Sequence, residues 1–478
     1  MKQSQLVSLF CKCLTIACFA SLVLDVHPLR GESWKCGVAK TVITPEKPIH
    51  LLGYPSRTVP FESVASDIFA KALAFEDAAG NRGVIVTCDL VGLQDAFAGP
   101  VCQRLEERTG LERRQIILNS SHNHTGPLVS LSPHTQGNLA HAGMTPAQAE
   151  LTVEYSRRLQ DQLVQLVEDA LADLKPAELA WGVGKVSFVM NRRSGAAGAI
   201  HMSPNPSGPT DPTVPVLRVT TPTGELRCIL FGCACHNTTL TTDHNMISGD
   251  YAGYAQEQLE AQHPGAAAMF MSGCGADANP EPRGGLDVAQ QHGAELANAV
   301  SQVLEGRLTP LDGPLHMAYR LVDLPLMKLT AEELEAYTAR GDSQSWLSPH
   351  IAQRLAEGHP LRTKYPAPVA AWSFGDGLTL VALPGESVAD YVELVGRRLN
   401  SRKLWVTSYN NDCFGYLPTA QIVREGGHEA IGVTAWFWST ELADAAGFFS
   451  EDVESVVLDA VESVVGELRE AGTASAQE

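Results

Sequence analysis

Apolar positions in this chain fall into short β-branched runs, broken by polar loops marked with Gly and Pro and alternating with longer stretches of helical period. Runs at 36–41, 68–75, 83–88 and 115–118 read as strands, and Asp77-Ala78-Ala79-Gly80-Asn81 joins the second to the third as a hairpin turn. Thr145-Pro146 then opens a long helix, in which Leu151, Tyr155, Leu159, Leu163, Leu166 and Ala170 share one face. Strands follow through Trp181 and Val186 to Met190, then at 214–219, 227–235 and 267–271, and later at 317–324, 372–374, 378–383 and 404–409. Helices are expected over 251–261 (with Ser248 or Asp250 as N-cap), 287–304, 331–339, 387–399 and 451–470. The alternation predicts an α/β fold, a mixed β-sheet core with flanking helices.

The polar residues that matter lie where strands stop. The run Gln115-Ile116-Ile117-Leu118 leads into Asn119-Ser120-Ser121-His122-Asn123-His124-Thr125-Gly126-Pro127, and Thr-Gly-Pro ends the strand. Residues i and i+2 of an extended chain point to one side, so His122 and His124 either share a metal, divide metal binding and proton transfer, or are two loop histidines. The 227–235 run ends at His236, the 378–383 run at Pro384-Gly385-Glu386, and the 404–409 run leads to Gly415-Tyr416. Two His and a Glu make a workable zinc set with room for water, whereas a phenol is an uncommon ligand. From spacing alone these residues are a metal-hydrolase site or a set of loop residues with no shared site. Asp89 ends a core strand and reads first as a loop cap; Asp89 or Asp250 orienting a ligand imidazole is the second reading.

Composition changes little of this. The chain has 478 residues, no repeat and no dividing linker, and 35 Lys+Arg against 54 Asp+Glu give a formal charge of −19. That balance argues against a nucleic-acid partner. Lys2 followed by an apolar run at 13–24, too short to span a bilayer, reads as a signal peptide over residues 1–30 and predicts export to the periplasm or medium. Residues 31–478 are then one hydrolase domain. Eight of the eleven cysteines lie beyond that segment and form no disulfide framework by spacing; Cys233 and Cys235 read as small apolar residues of a buried strand.

Taken together, several stretches resemble one family. They are Val38-Ala39-Lys40-Thr41-Val42-Ile43-Thr44-Pro45, Leu52-Gly53-Tyr54, Cys88-Asp89-Leu90-Val91-Gly92, Ser121 to Pro127, Asn191-Arg192, Ile247-Ser248-Gly249-Asp250, Gly275-Ala276-Asp277-Ala278-Asn279-Pro280, Pro384-Gly385-Glu386 and Gly415-Tyr416. In this order they resemble the catalytic domain of the neutral/alkaline non-lysosomal ceramidases over nearly all of residues 36–450.

The resemblance implies one Zn2+ held by His122, His236, Glu386 and Tyr416, with His124 beside the metal and Arg192 contacting substrate. His428 stands where the family has a further Tyr, and Asn279 where it has Ser. The family also carries a C-terminal β-sandwich, for which this sequence leaves no room. The implied activity is hydrolysis of an N-acyl amide, ceramide or a related lipid, by zinc-activated water, with transient contact at a membrane surface. A zinc esterase or amidase for a small polar substrate, or a non-catalytic homologue, are the alternatives.

Overall fold

The computed structural model describes residues 34–131, 144–340, 344–434 and 447–475, so the expected signal peptide lies outside the described residues. Its core is two facing sheets. The larger has nine strands, in the order Ala267–Ser272, Leu226–Cys233, Thr213–Thr220, Lys175–Lys185, Trp34–Val42, Phe69–Asp77, Arg82–Cys88 and Ile116–Ser120, with Thr309–Leu311 added beside Lys175–Lys185. The smaller runs Leu315–Pro325, Lys364–Phe374, Leu378–Ala382 and Leu404–Thr407.

The period-2 pattern decides what each face meets. Leu73, Phe75, Ile85, Leu230 and Met269 point from the larger sheet onto Trp372, Phe374, Leu380 and Trp405 of the smaller. The intervening residues Ala70, Ala72, Val84, Val86 and Leu118 face the other way, against helices Asp95–Thr109 and Pro146–Ala172. Ile229, Phe231 and Phe270 do the same against Asp250–Gln262 and Leu286–Glu305. On the outer face of the smaller sheet, Val369, Ala371 and Val381 meet Asp390–Leu399 and Val453–Ser475. The result is a helix–sheet–sheet–helix sandwich. Both faces of each sheet are covered, which is why the strands read as nearly unbroken apolar runs. Trp372 is fully buried at the seam, and its indole N–H donates to Arg114 O at 2.9 Å. Truncating a core aromatic of this kind costs about 3–5 kcal/mol.

Twist brings the working strand ends together. Ile116–Ser120 and Ala267–Ser272 lie at opposite edges of the larger sheet, seven inter-strand steps apart. At roughly 20–25° per step the accumulated rotation approaches a half turn, so strands of opposite nominal direction finish pointing the same way. Their carboxyl ends meet: Ser272 N–H donates to Asn119 Oδ1 at 3.0 Å, and Asn123 bridges Asn237. The smaller sheet is laced in at the same place. Asn119 Nδ2 donates to Ser408 O at 2.8 Å, and Asn411 N–H donates to Leu118 O at 2.7 Å.

The expected elements recur with three differences. The two strands expected through Trp181 and Val186 to Met190 are present as Lys175–Lys185 and the three-residue Val189–Asn191, which pairs with Ala278–Pro280, but Val186 lies between them. The helix Asp250–Gln262 is capped by Gly249, not by Ser248 or Asp250. Helices Asp95–Thr109, Gln344–Ala356 and Ala420–Glu425 are additional. No helix of the described residues is long and apolar enough to cross a membrane.

Candidate metal centre

His122, Glu386 and Tyr416 reach one cavity from different strand ends, and His236 joins them from the end of Leu226–Cys233. The cavity holds about 190 Å³. Glu386 and Tyr416 are paired residues of a short parallel ladder, so their side chains leave on the same side. His122 sits at φ 55, in the left-handed region, with its ring in the cavity.

The hydrogen bonds fix the tautomers. His122 Nδ1 lies 2.8 Å from Val91 O, and His236 Nδ1 lies 2.8 Å from Gly275 O. A carbonyl only accepts, so each Nδ1 carries the proton and each Nε2 presents a lone pair. Those two Nε2 atoms lie 3.2 and 3.5 Å from Glu386 Oε2. His236 Nε2 and Glu386 Oε2 are buried without a hydrogen-bond partner. Three acceptors therefore converge, and only His122 has a donor beside it, the Nε2 of His124 at 2.9 Å; a cation satisfies such a set, and leaving His236 Nε2 and Glu386 Oε2 unpaired is costly. Burial first, then the charge of Arg192, pulls His236 down to about 3, which keeps it neutral. Burial raises Glu386, and positive charge at the two imidazoles lowers it well below the ordinary carboxylate range, a charge that a cation supplies when the rings are neutral.

His124 completes a group of three imidazoles whose donor atoms lie within 4.8 Å of one another, spacing that fits one metal ion. Its Nε2 is 2.9 Å from His122 Nε2, and its Nδ1 is buried without a partner. Tyr54 packs edge-on to the His124 ring at 5.0 Å, and a Cβ on Gly53, which has φ +105, would stand 2.4 Å from that ring.

Arg192 organises the other wall. Its Nε donates to Glu429 Oε1 at 2.8 Å, one Nη to Asn279 Oδ1 at 3.2 Å and the other to the Tyr416 hydroxyl at 3.1 Å. Glu429 also receives Arg193 at 2.7 Å, so one buried carboxylate serves two guanidinium groups. Burial would raise Glu429, but Arg192, His428 and Arg193 bring it to about 2. His428 lies edge-on to Tyr416 with ring centres 5.0 Å apart. All eight residues predicted from sequence line the same cavity.

Asp89 and Asp250 do not orient an imidazole. Asp89 accepts from Phe69 N–H and Gln256 Nε2, and Asp250 from Leu240 N–H and Tyr251 N–H. The backbone carbonyls of Val91 and Gly275 do that work instead, because the strand-end turns already aim them at the rings. Sequence reasoning also missed Glu429, Arg283 and Tyr409. The Tyr409 ring lies 4.5 Å from that of His122, on a backbone turned to φ 58. A lone Glu after His428 carries no signal, but the aromatic after Thr407-Ser408 could have drawn notice as a strand-end residue. All eight described cysteines are free and buried.

The family model for "Neutral/alkaline non-lysosomal ceramidase, N-terminal" matches residues 34–314, which include His122, His124, Arg192, His236 and Asn279. The neutral ceramidase of Pseudomonas aeruginosa is 28% identical over 269 residues, covering 54% of this chain and 38% of that protein. That of Mycobacterium tuberculosis is 25% identical over 253 residues, covering 50% of this chain and 36% of its own length. The matched stretches thus span little more than a third of these relatives. The crystal structure of the P. aeruginosa neutral ceramidase superposes with a TM-score of 0.67 at 21% identity, over 92% of this chain and 75% of that one. A ceramidase complexed with C2 gives 0.68 at 19% identity, over 92% of this chain and 76% of its own. These likenesses establish the mixed α/β fold, and since the family match covers more than half of the sequence, the chain belongs to the neutral/alkaline non-lysosomal ceramidase family.

Proposed function

We propose that the chain hydrolyses the amide bond of an N-acyl lipid, ceramide or a relative of it, with one Zn2+ held by His122, His236, Glu386 and Tyr416. The observation that carries this reading is the meeting of two Nε2 lone pairs and Glu386 Oε2, with His236 Nε2 and Glu386 Oε2 unpaired. Zinc in such a set supplies a Lewis acid and water of near-neutral pKa. The protein's own groups do the rest. His124, next to His122, holds or moves the proton between water and the leaving amine, or stabilises the developing oxyanion. Asn279 spends its Oδ1 on Arg192, which leaves its NH2 to donate to a carbonyl oxygen. An amide cannot become a nucleophile, so no acyl-enzyme forms at this position. Arg192, held by Glu429, fixes both Asn279 and Tyr416. Leu52, Val91, Met202 and Ile431 supply apolar wall for an acyl chain.

Residues 1–30 act as a signal peptide in this proposal, residues 31–478 form the hydrolase domain, and the protein works outside the cytoplasm. The test is release of free sphingoid base from a short-chain ceramide by purified protein, before and after chelation. Activity lost on chelation and restored by zinc supports the reading. Full activity in metal-free protein contradicts it.

A further inference from the structure

The cavity beside the metal centre is lined by a second arginine besides Arg192. Arg283 lines it, half-buried, with Nε donating to Thr238 O at 2.7 Å and Nη2 to the Tyr54 hydroxyl at 2.8 Å. The Tyr54 hydroxyl donates to Leu240 O at 3.0 Å, and Arg57 lies over its ring at 4.7 Å. Arg57 is buried and donates only to backbone carbonyls, those of His124, Thr241 and His244. Among the described residues neither arginine has an ion-pair partner. Asp250 is near enough to feel Arg283, but its oxygens are taken by Leu240 N–H and Tyr251 N–H.

Glu386 is the one carboxylate among the described residues lining this cavity, and it is committed to the metal set. Arg192, by contrast, has its carboxylate in Glu429. Arg283 is half-buried, and the nearby carboxylate of Asp250 is spent on backbone N–H groups, so the guanidinium keeps donors for an anionic ligand. Arg283 is not a waving surface arm. Two anchors hold its plane and leave the Nη1 hydrogens and the second Nη2 hydrogen, the forked edge that matches a carboxylate or sulfonate. The protein as a whole is formally −19, so cations gathered here are local in purpose.

We propose that Arg283, positioned by Tyr54 and Thr238, forms a subsite for an anionic group on the amine half of the substrate. The preferred amide is then an acylated amino acid or amino sulfonate rather than one with only neutral hydroxyls. This rests on the amide-hydrolase reading and narrows its substrate class.

The test uses purified full-length protein with three matched amides: N-lauroyltaurine, N-lauroylglycine and N-lauroylethanolamine. Both kcat/KM and calorimetric Kd are measured. The two anionic amides should be favoured over the ethanolamide by about tenfold or more, the worth of a charged hydrogen bond. Arg283→Gln should collapse that ratio towards one, Arg283→Lys should keep part of it, and Tyr54→Phe should weaken it. Sulfonate is a poor metal ligand, so a taurine preference that survives Arg283→Gln, or no preference in the wild type, overturns the proposal. Hydrolysis of all three at equal rates removes the subsite and leaves the amidase standing. Arg283-dependent binding of the anionic amides without hydrolysis of any keeps the subsite and removes the amidase.

Discussion

Replacing Gly53 with alanine tests what His124 does. Gly53 has φ +105, and a Cβ built there would stand 2.4 Å from Cγ and Nδ1 of His124, where ordinary contact is 3.4–4 Å. The imidazole or the 52–54 loop must therefore shift by about 1 Å, and the alanine also bears a backbone cost of about 1–2 kcal/mol at positive φ. A displacement of about 1 Å in a positioned catalytic group lowers the rate by about a hundredfold. If His124 stands beside the metal rather than binding it, kcat/KM should fall by that factor while zinc per chain stays at the wild-type value. Both are measured on one preparation, by steady-state hydrolysis and elemental analysis, with circular dichroism to confirm folding. Wild-type kcat/KM in folded Gly53→Ala would remove His124 from the reaction. Loss of zinc in step with activity would place His124 among the ligands.

Three further outcomes follow from the geometry. Glu429→Gln leaves Arg192 and Arg193 without their buried counter-charge and should cost about 3–5 kcal/mol in urea denaturation at neutral pH. Because Glu429 is lowered to about 2 from 4.5, its stabilisation is complete above pH 4.5 and disappears as pH falls towards 2, so wild type and variant should converge in acid. Asn279→Ala should reduce turnover by at most about a hundred- to a thousandfold, the range for one oxyanion donor, without an acyl adduct detectable by mass spectrometry in either protein. The segment before Gly31 should be missing from protein recovered from the native host; an intact Met1 in cytoplasmic protein would end the export proposal.

Strand ends carried most of what the sequence could tell. His122, His236 and Glu386 were recognisable because apolar β-branched runs stop at them, and a covered sheet writes such runs plainly. Tyr416 was different: phenol is an unusual ligand, and only resemblance to the family singled it out. The two-sheet layering was not legible, since a strand covered on both faces looks the same whether helix or sheet lies above it. Helix Asp95–Thr109 carries Gly99-Pro100 inside it, a pair that weakens helix propensity and masks the period. Glu429, Tyr409 and the Arg283–Tyr54 pair depend on contacts across more than a hundred residues of chain. Local period holds no trace of them. The carbonyls of Val91 and Gly275 were beyond sequence altogether, because every residue has one and only the turn decides where it points.

Whether His122, His236, Glu386 and Tyr416 hold one zinc ion is read by anomalous diffraction from crystals of the purified protein, recorded above and below the zinc absorption edge. A single strong peak per chain is expected, about 2.0–2.2 Å from His122 Nε2, His236 Nε2 and a Glu386 oxygen, absent from His236→Ala crystals. No peak between these side chains in protein that hydrolyses its amide, or an undiminished peak after His236→Ala, would contradict it.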